Sequence, residues 1–175
     1  MLQKILVWFI GFSPFTKRWF WKKWYNVFAD RAKNSDFKFM NYGFDENGFF
    51  PDLKTEDKQE RYPIQLYHHV ASQTDLSGKV VLEVGSGRGG GASYVSRYLR
   101  PSSVLGVDIS ESAVELCNSI HAVDNLSFTV GDSEDLPFDA GSFDVVLNVE
   151  SSHCYGSVDQ FLKEVENKKL TPAIL

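Results

Sequence analysis

The fold is decided by the segment Val80-Val-Leu-Glu-Val-Gly-Ser-Gly-Arg-Gly-Gly-Gly91. Its first residues form a short apolar run of the kind that makes a buried parallel strand. A glycine loop follows, and then a helical pattern that extends to Leu99. A strand, a glycine turn and a helix in this order begin a βα unit, and the backbone of such a loop can come close to a bound ligand.

The glycine loop is compatible with two kinds of ligand. Gly85, Gly87 and Gly90 satisfy G-x-G-x-x-G, and Asp108 follows at the distance where a dinucleotide-binding fold places an acid. Glu83 precedes the loop, however, and an acid there suits a cationic or hydroxyl-bearing ligand better than a phosphate. The loop alone leaves open a dinucleotide or S-adenosylmethionine (SAM), with a glycine turn that binds nothing as a weaker third interpretation.

Strand and helix patterns alternate on both sides of the loop. Strands are predicted over 80–84, 103–107, 126–130 and 143–149, and helices over 62–72, 89–99, 111–121 and 157–167, with Ser110 as an N-cap. Continuous apolar strands separated by helices indicate a parallel sheet that is covered on both faces. The expected fold class is α/β, a doubly wound Rossmann-like sheet with strand order 3-2-1-4 and an N-terminal helical and aromatic extension.

Acidic residues end two of the predicted strands. Asp108 ends the second strand, and Asp132 follows the third, just before Leu136-Pro-Phe138. The carboxyl ends of strands in a doubly wound sheet face the ligand crevice, where Asp108 can accept both hydroxyls of a ribose. Capping of the next helix is its alternative role. Asp132 and neighbouring amides can bind an adenine, and nicotinamide-binding folds do not require that element.

Composition restricts the class of protein. The 175 residues are 43% hydrophobic and 23% charged, which is typical of one globular domain with an appendage. Cys117 and Cys154 provide no disulfide framework and no metal-ligand spacing, so we expect a reducing, cytoplasmic compartment and no metal. Residues 1–33 contain seven basic residues and one acidic residue, although the whole chain has a net charge of −5. The acidic remainder argues against a nucleic-acid substrate.

The basic N-terminal segment is rich in tryptophan. Its apolar run, residues 5–10, is shorter than the roughly 20 residues that span a bilayer. Trp19, Trp21 and Trp24 alternate with lysine and arginine, a composition typical of a helix that lies on a membrane surface. A helix packed over the active site and a signal anchor are the two alternatives.

Four ordered motifs resemble those of class I SAM-dependent methyltransferases. They are Glu83-x-Gly85-x-Gly87, Asp108, Gly131-Asp132 with Leu136-Pro-Phe138, and Phe143-Asp-Val-Val146. The closer likeness is to the small-molecule and lipid branch (methyltransferase type 11) that contains the phthiotriol/phenolphthiotriol dimycocerosate methyltransferases. It is carried by Asn41-Tyr-Gly43, Gly89-Gly-Gly91 and Val149-Glu-Ser-Ser-His-Cys-Tyr155, and the whole likeness extends from about residue 37 to residue 165.

The resemblance implies a SAM-dependent methyltransferase that acts on a small-molecule or lipid-like acceptor, with a hydroxyl as the expected methylated group. The cofactor-binding residues that it implies are Glu83, Gly85, Ser86, Gly87, Asp108, Ile109, Asp132, Ser133 and Asn148. The methionine portion would be held by Glu83, Gly85 and Gly87. Asp108 would bind the ribose, Asp132 with Ser133 the adenine, and Asn148 would close the pocket floor beneath the sulfonium.

A hydroxyl acceptor needs a general base. His153 is the first candidate and Glu150 its partner or substitute, because both follow the fourth strand, where a substrate over the sulfonium would lie. The alternative is that both side chains only stabilise that loop. His68 and His69 are weaker candidates for the base.

The chain departs from the family pattern after Val165, where relatives continue the helix and add three strands. We therefore expect a C-terminally truncated chain whose fourth strand is a bare sheet edge. The expected division is 1–33, a membrane-surface or cap segment; 34–76, an N-terminal cap; 77–167, a partial SAM-binding core; and 168–175, a divergent tail. A truncated, inactive chain with residual SAM binding is the second functional hypothesis, and an NAD(P)-dependent oxidoreductase is a minor third.

Overall fold

The computed structural model describes residues 13–31, 38–45 and 50–168. The predictions for the apolar run at 5–10 and for the tail beyond residue 168 lie outside these ranges. The described elements are α1 (Pro14–Arg31), a 3-10 helix (Thr55–Glu60), α2 (Arg61–Ala71), β1 (Val80–Val84), α3 (Gly90–Tyr98), β2 (Ser103–Asp108), α4 (Glu111–Ile120), β3 (Leu126–Val130), β4 (Val145–Leu147), a second 3-10 helix (Ser152–Cys154) and α5 (Val158–Lys168). No helix within the described ranges is long and apolar enough to cross a bilayer.

The four strands form one parallel sheet in the order β3-β2-β1-β4. The α/β fold class, the parallel sheet and the strand order are therefore confirmed. Side chains of β1 alternate between the two faces, as a pleated strand requires. Val81 packs in a buried cluster with residues of α2 and α3, whereas Leu82 packs on the other face with Phe161 and Val165 of α5. This alternation also decides where Glu83 points.

The fourth strand is shorter than predicted, because pairing with β1 covers only residues 145–147. Beyond that point the Val84 carbonyl of β1 accepts hydrogen bonds from side chains instead of a strand amide. The donors are Asn148 Nδ2 at 3.0 Å and Ser151 Oγ at 3.1 Å. Within the described chain β4 pairs with β1 alone, and its three residues are buried. The strand therefore ends where a polar loop begins.

Helices α2 to α5 begin and end within one residue of the predicted bounds, whereas no bounds were predicted for α1. Ser110 caps α4 as predicted, because its hydroxyl accepts a hydrogen bond from the Ala113 amide at 3.2 Å. The first 3-10 helix was not predicted, since a run of charged residues gives no periodic signal. It carries the buried carboxylate of Asp57, which accepts hydrogen bonds from Arg97 at 2.6 and 3.0 Å. Burial opposes ionisation of Asp57, but the bonds from Arg97 and Tyr98 leave its pKa below the usual value.

Gly91 in α3 gives a direct test of how closely α2 packs on this helix. A Cβ atom at this position would overlap the Tyr67 ring. A helical Gly→Ala change usually stabilises by about 0.4–1 kcal/mol. Here we expect Gly91→Ala to lower the free energy of unfolding by about 1–3 kcal/mol, measured by urea denaturation, because the overlap forces α2 outward.

The matched control is the same substitution in a Tyr67→Ala background. Removing the ring creates room for the new methyl group. In that background Gly91→Ala should leave the free energy of unfolding unchanged or raise it. If Gly91→Ala lowered the free energy of unfolding equally in both backgrounds, the packing described for α2 and α3 would be contradicted.

Candidate functional site

A cavity of about 410 Å³ lies at the carboxyl ends of the strands. Its volume falls in the range of roughly 300–1,000 Å³ that is usual for small-molecule sites. Its wall is formed by the loops that follow the four strands, by part of α1, by residues 38–42 and by Tyr67 of α2. The crevice predicted at the strand ends is thus present as a partly open cavity.

The glycine loop is attached to the end of β2. The amides of Gly85 and Ser86 both donate to the Val107 carbonyl, at 2.8 and 3.1 Å. Gly85 and Gly87 have φ values of +78° and +54°, in the left-handed region that glycine adopts without strain. A side chain at Gly85 would also overlap Ser151. The loop therefore needs glycine at this position for conformation and for space.

Asp108 connects the glycine loop to the start of α4 and also lines the cavity. One carboxylate oxygen accepts the Gly87 amide and the other accepts the Ser110 amide, each at 2.9 Å. Burial raises the pKa of Asp108, and the backbone hydrogen bonds act against that rise. Each oxygen retains a second lone pair, so the side chain can still accept hydrogen bonds from ligand hydroxyls. Ile109 lies beside it in the cavity wall.

Asp132 and Ser133 lie in the cavity wall after β3. One Asp132 oxygen accepts the Glu134 amide at 3.0 Å, which orders the loop. The other forms an ion pair with Arg18 of α1 at 3.1 Å. Arg18 also lies 3.9 Å from Glu134. The loop that we predicted to contact an adenine is therefore also in contact with the N-terminal helix.

The inner face of α1 covers part of the cavity. Arg18 and Trp21 line it, and the Trp21 ring meets the His153 ring edge to face, with centroids 6.0 Å apart. This position is the one expected if the N-terminal segment is a helix packed over the active site. The sequence shows no helical periodicity that would distinguish Arg18 and Trp21 from the other basic and aromatic residues of α1.

Glu83 does not line the cavity. Strand alternation places it on the α2 face of the sheet, 1% exposed, near the Tyr67 ring that itself reaches the cavity. Neither of its carboxylate oxygens has a hydrogen-bond partner of good geometry within the described chain. Burial raises its pKa from 4.5 to about 7, although the Tyr67 hydroxyl and the Ala92 amide are near enough to moderate the rise. Glu83 is thus a buried carboxylate one layer beneath the site.

The pH dependence of the free energy of unfolding should report the titration of Glu83. A carboxyl whose pKa is higher in the folded state holds its proton more tightly there, so its contribution to stability is complete below pH 4.5 and decreases as pH rises towards 7. Relative to Glu83→Gln, the wild-type free energy of unfolding should fall by about 3 kcal/mol between pH 4.5 and pH 8. Urea denaturation across that range measures it.

The control variant is Glu115→Gln, which removes an exposed carboxylate on α4. Its stability curve should run parallel to the wild type over the same pH range. A Glu83→Gln curve that also runs parallel to the wild type would contradict the buried, proton-binding state of Glu83.

Asn148 is buried and does not reach the cavity surface. Its Nδ2, which has two hydrogens to donate, lies within hydrogen-bond distance of three acceptors: the Val84 carbonyl at 3.0 Å, Ser151 Oγ at 2.8 Å and the Tyr155 hydroxyl at 2.6 Å. Ser151 and Tyr155 do line the cavity. The structure therefore places Asn148 behind the wall, where it positions the two hydroxyl groups in front of it.

Both candidate bases lie at the cavity. Glu150 has a φ of +51°, which is uncommon for a residue with a side chain, and strained positions of this kind cluster at active sites. Its Oε2 accepts the Tyr42 amide at 3.0 Å. His153 is exposed and packs against Trp21. The weaker candidates His68 and His69 do not line this cavity.

Several cavity residues were not predicted from the sequence. They are Arg18, Trp21, Lys38, Met40, Tyr67 and Ser151. The sequence pattern places Tyr67 only within the helix predicted over 62–72, and its ring is buried as well as lining the cavity. Within the described residues, no cluster of three or more His, Cys, Asp and Glu side chains could hold a metal ion.

The sheet order, the glycine loop and the strand-end carboxylate of Asp108 define a Rossmann-like protein of the class I methyltransferase type. Residues 82–168 match the family model described as "Methyltransferase domain". This match agrees with the resemblance found in the sequence.

Two relatives show how far the similarity extends. The phthiotriol/phenolphthiotriol dimycocerosates methyltransferase of Mycobacterium tuberculosis is 44% identical over 154 residues, which cover 87% of this chain and 57% of the relative. The fatty-acid O-methyltransferase of Mycolicibacterium smegmatis is 46% identical over 142 residues, covering 81% of this chain and 52% of the relative. The chain spans about half the length of the curated relatives it matches.

Solved structures agree on the fold. The [4+2]-cyclase SpnF superposes with a TM-score of 0.69 and 21% identity, covering 85% of this chain and 55% of that chain. YcgJ from Bacillus subtilis superposes with a TM-score of 0.56 and 27% identity, covering 60% of this chain and 46% of that chain. A cyclase among these neighbours shows that the fold alone does not define the reaction. The comparisons give no support to the oxidoreductase or the inactive-chain hypothesis.

Proposed function

We propose that the protein is a SAM-dependent methyltransferase that methylates an oxygen of a lipid-like acceptor, with a hydroxyl as the expected group. The observation that carries the proposal is the cavity in which the glycine loop meets Asp108 and Asp132, within a methyltransferase domain. The printed names of both relatives support the acceptor class, since one names phthiotriol and the other a fatty acid methylated on oxygen.

The donor set of the cavity fits the cofactor. Ser86 is 5% exposed and lines the cavity, and its hydroxyl has no hydrogen-bond partner within the described chain. Because that hydroxyl is itself buried, the polar groups that remain open to a ligand are the second lone pairs of the Asp108 carboxylate in the cavity wall. Ser86, Gly85 and Gly87 would lie along the methionine portion of SAM. Asp108 would bind the ribose hydroxyls, and Asp132 with Ser133 would lie at the adenine.

Glu83 and Asn148 would act on the cofactor through their neighbours. Glu83 is separated from the cavity by the Tyr67 ring, and Asn148 by Ser151 and Tyr155. We therefore assign them to the support of the methionine end and not to direct contact.

Placement is the main contribution of the protein to methyl transfer. SAM, when bound, supplies an electrophilic methyl group on a sulfonium. Cavity residues that hold the acceptor oxygen in line with it can provide roughly 7–11 kcal/mol through orientation alone. His153 would accept the hydroxyl proton on an imidazole nitrogen as the oxygen attacks, and Glu150 would orient or replace it. The aromatic cover of Trp21 would exclude water from the reacting groups.

The ribose contact makes a binding prediction. Asp108→Asn should weaken the affinity for S-adenosylhomocysteine by about 10–100-fold in titration calorimetry, because hydrogen bonds to a charged acceptor contribute about 1.5–3 kcal/mol. NADH should give no binding heat with either chain. Asp139→Asn, which changes an exposed aspartate, is the control and should bind as the wild type does.

The melting temperature of the ligand-free Asp108→Asn chain separates binding from folding, since Asp108 also accepts two backbone amides. Weaker binding at a similar melting temperature supports the ribose role. Unchanged affinity in a folded variant would contradict it.

The base assignment predicts different results for two acceptors. A hydroxyl must lose its proton during transfer, whereas a fatty-acid carboxylate is already ionised at pH 7. For the intact protein, His153→Ala should lower kcat with a long-chain alcohol by about 10²–10⁴-fold and leave kcat with a fatty acid nearly unchanged. Transfer of a radiolabelled methyl group measures both reactions.

His69→Ala is the control for that experiment, because this histidine packs against Phe44 away from the cavity. It should keep both activities. Full activity of His153→Ala with the alcohol would remove the histidine from the mechanism, and equal losses with both acceptors would assign it to positioning.

A further inference from the structure

Helix α1 has two faces with different surroundings. Arg18 and Trp21 point inward and line the cavity. On the other side Phe15, Trp19 and Trp24 are 68%, 51% and 55% exposed. Val27, 48% exposed, and the exposed Lys23 lie on the same side, since the α-helix advances about 100° per residue. We call the set Phe15, Trp19, Lys23, Trp24 and Val27 the outer face of α1.

We propose that the outer face of α1 is a docking surface for an anionic lipid bilayer. Three exposed aromatic rings and a valine on one helix form an apolar strip that water does not stabilise. Tryptophan is the side chain most enriched at the boundary between headgroups and acyl chains, because its ring is apolar and its N–H is polar. Lysine can extend its ammonium group to the lipid phosphates while its stem remains in apolar surroundings.

The charge distribution favours a negatively charged surface as the partner. Residues 1–33 contain seven basic residues and one acidic residue, which leaves 11 basic and 22 acidic residues in the rest of the chain. An anionic bilayer attracts the first group and repels the second. The difference in charge therefore favours an orientation in which α1 faces the membrane.

The position of α1 gives this contact a consequence for the reaction. The helix is about 10–12 Å across with its side chains, and the cavity lies directly on its inner side. A protein docked by the outer face would hold the cavity one helix diameter from the headgroups. A lipid-like acceptor could then enter from the bilayer without crossing water. Only this consequence rests on the proposed function, whereas docking itself does not.

The test is sedimentation of the intact chain with vesicles that contain neither acceptor nor cofactor. One vesicle is phosphatidylcholine alone, and the other contains 30% phosphatidylserine, about the range that gives the anionic surface potentials of cell membranes. We expect binding to the anionic vesicles, little to the neutral ones, and release at high salt. All four tryptophans lie in residues 8–24, so a blue shift of tryptophan emission on binding reports this segment directly.

The variant Trp19→Ala/Trp24→Ala should bind the anionic vesicles about tenfold more weakly or not at all. The matched control Val158→Ala/Leu162→Ala removes exposed apolar side chains from α5 and should bind as the wild type does. Both variants change exposed residues, and their melting temperatures show whether the fold is kept.

Three results would overturn the proposal. They are wild-type protein that stays in the supernatant, a Trp19→Ala/Trp24→Ala variant that binds as well as the wild type, and equal binding to both vesicles. A dimer that the same variant dissociates, without vesicle binding, would assign the outer face to a second copy of the chain. Calorimetry with S-adenosylhomocysteine is independent of all these outcomes, so docking and the proposed reaction can fail separately.

Discussion

Three hydrogen bonds between the glycine loop and the end of β2 hold the whole site together. The amides of Gly85 and Ser86 donate to the Val107 carbonyl, and the Gly87 amide donates to the Asp108 carboxylate. They fix the loop over the sheet edge and leave Ser86 and Asp108 in the cavity wall. Parallel pairing of β1 with β2 brings the two segments together, and glycine allows the backbone conformation with positive φ that the loop requires.

The central unit could be predicted from the sequence because its signals are local. An apolar strand, a glycine loop and a helix are adjacent in the chain, and Asp108 and Asp132 follow strands whose ends must meet at one edge. The strand order 3-2-1-4 is the usual order of a doubly wound Rossmann-like sheet, and the structure confirms it. Most of the predicted site residues line the cavity for the same reason.

The remaining features depend on tertiary geometry that a linear pattern does not contain. Glu83 belongs to the glycine motif, yet the two-residue period of β1 turns it to the face under Tyr67. Asn148 ends its strand early because it bonds the Val84 carbonyl with its side chain. The Arg18–Asp132 ion pair joins residues more than a hundred positions apart, and no local sequence pattern predicts it.

The central claim is that a nucleoside binds where the glycine loop meets β2. A crystal structure of the chain with S-adenosylhomocysteine tests this binding most directly. We predict that both ribose hydroxyls lie within hydrogen-bond distance of the Asp108 carboxylate, with the adenine beside Asp132 and the homocysteine along residues 85–87. A ligand found elsewhere on the chain, or a ribose that does not contact Asp108, would contradict the account.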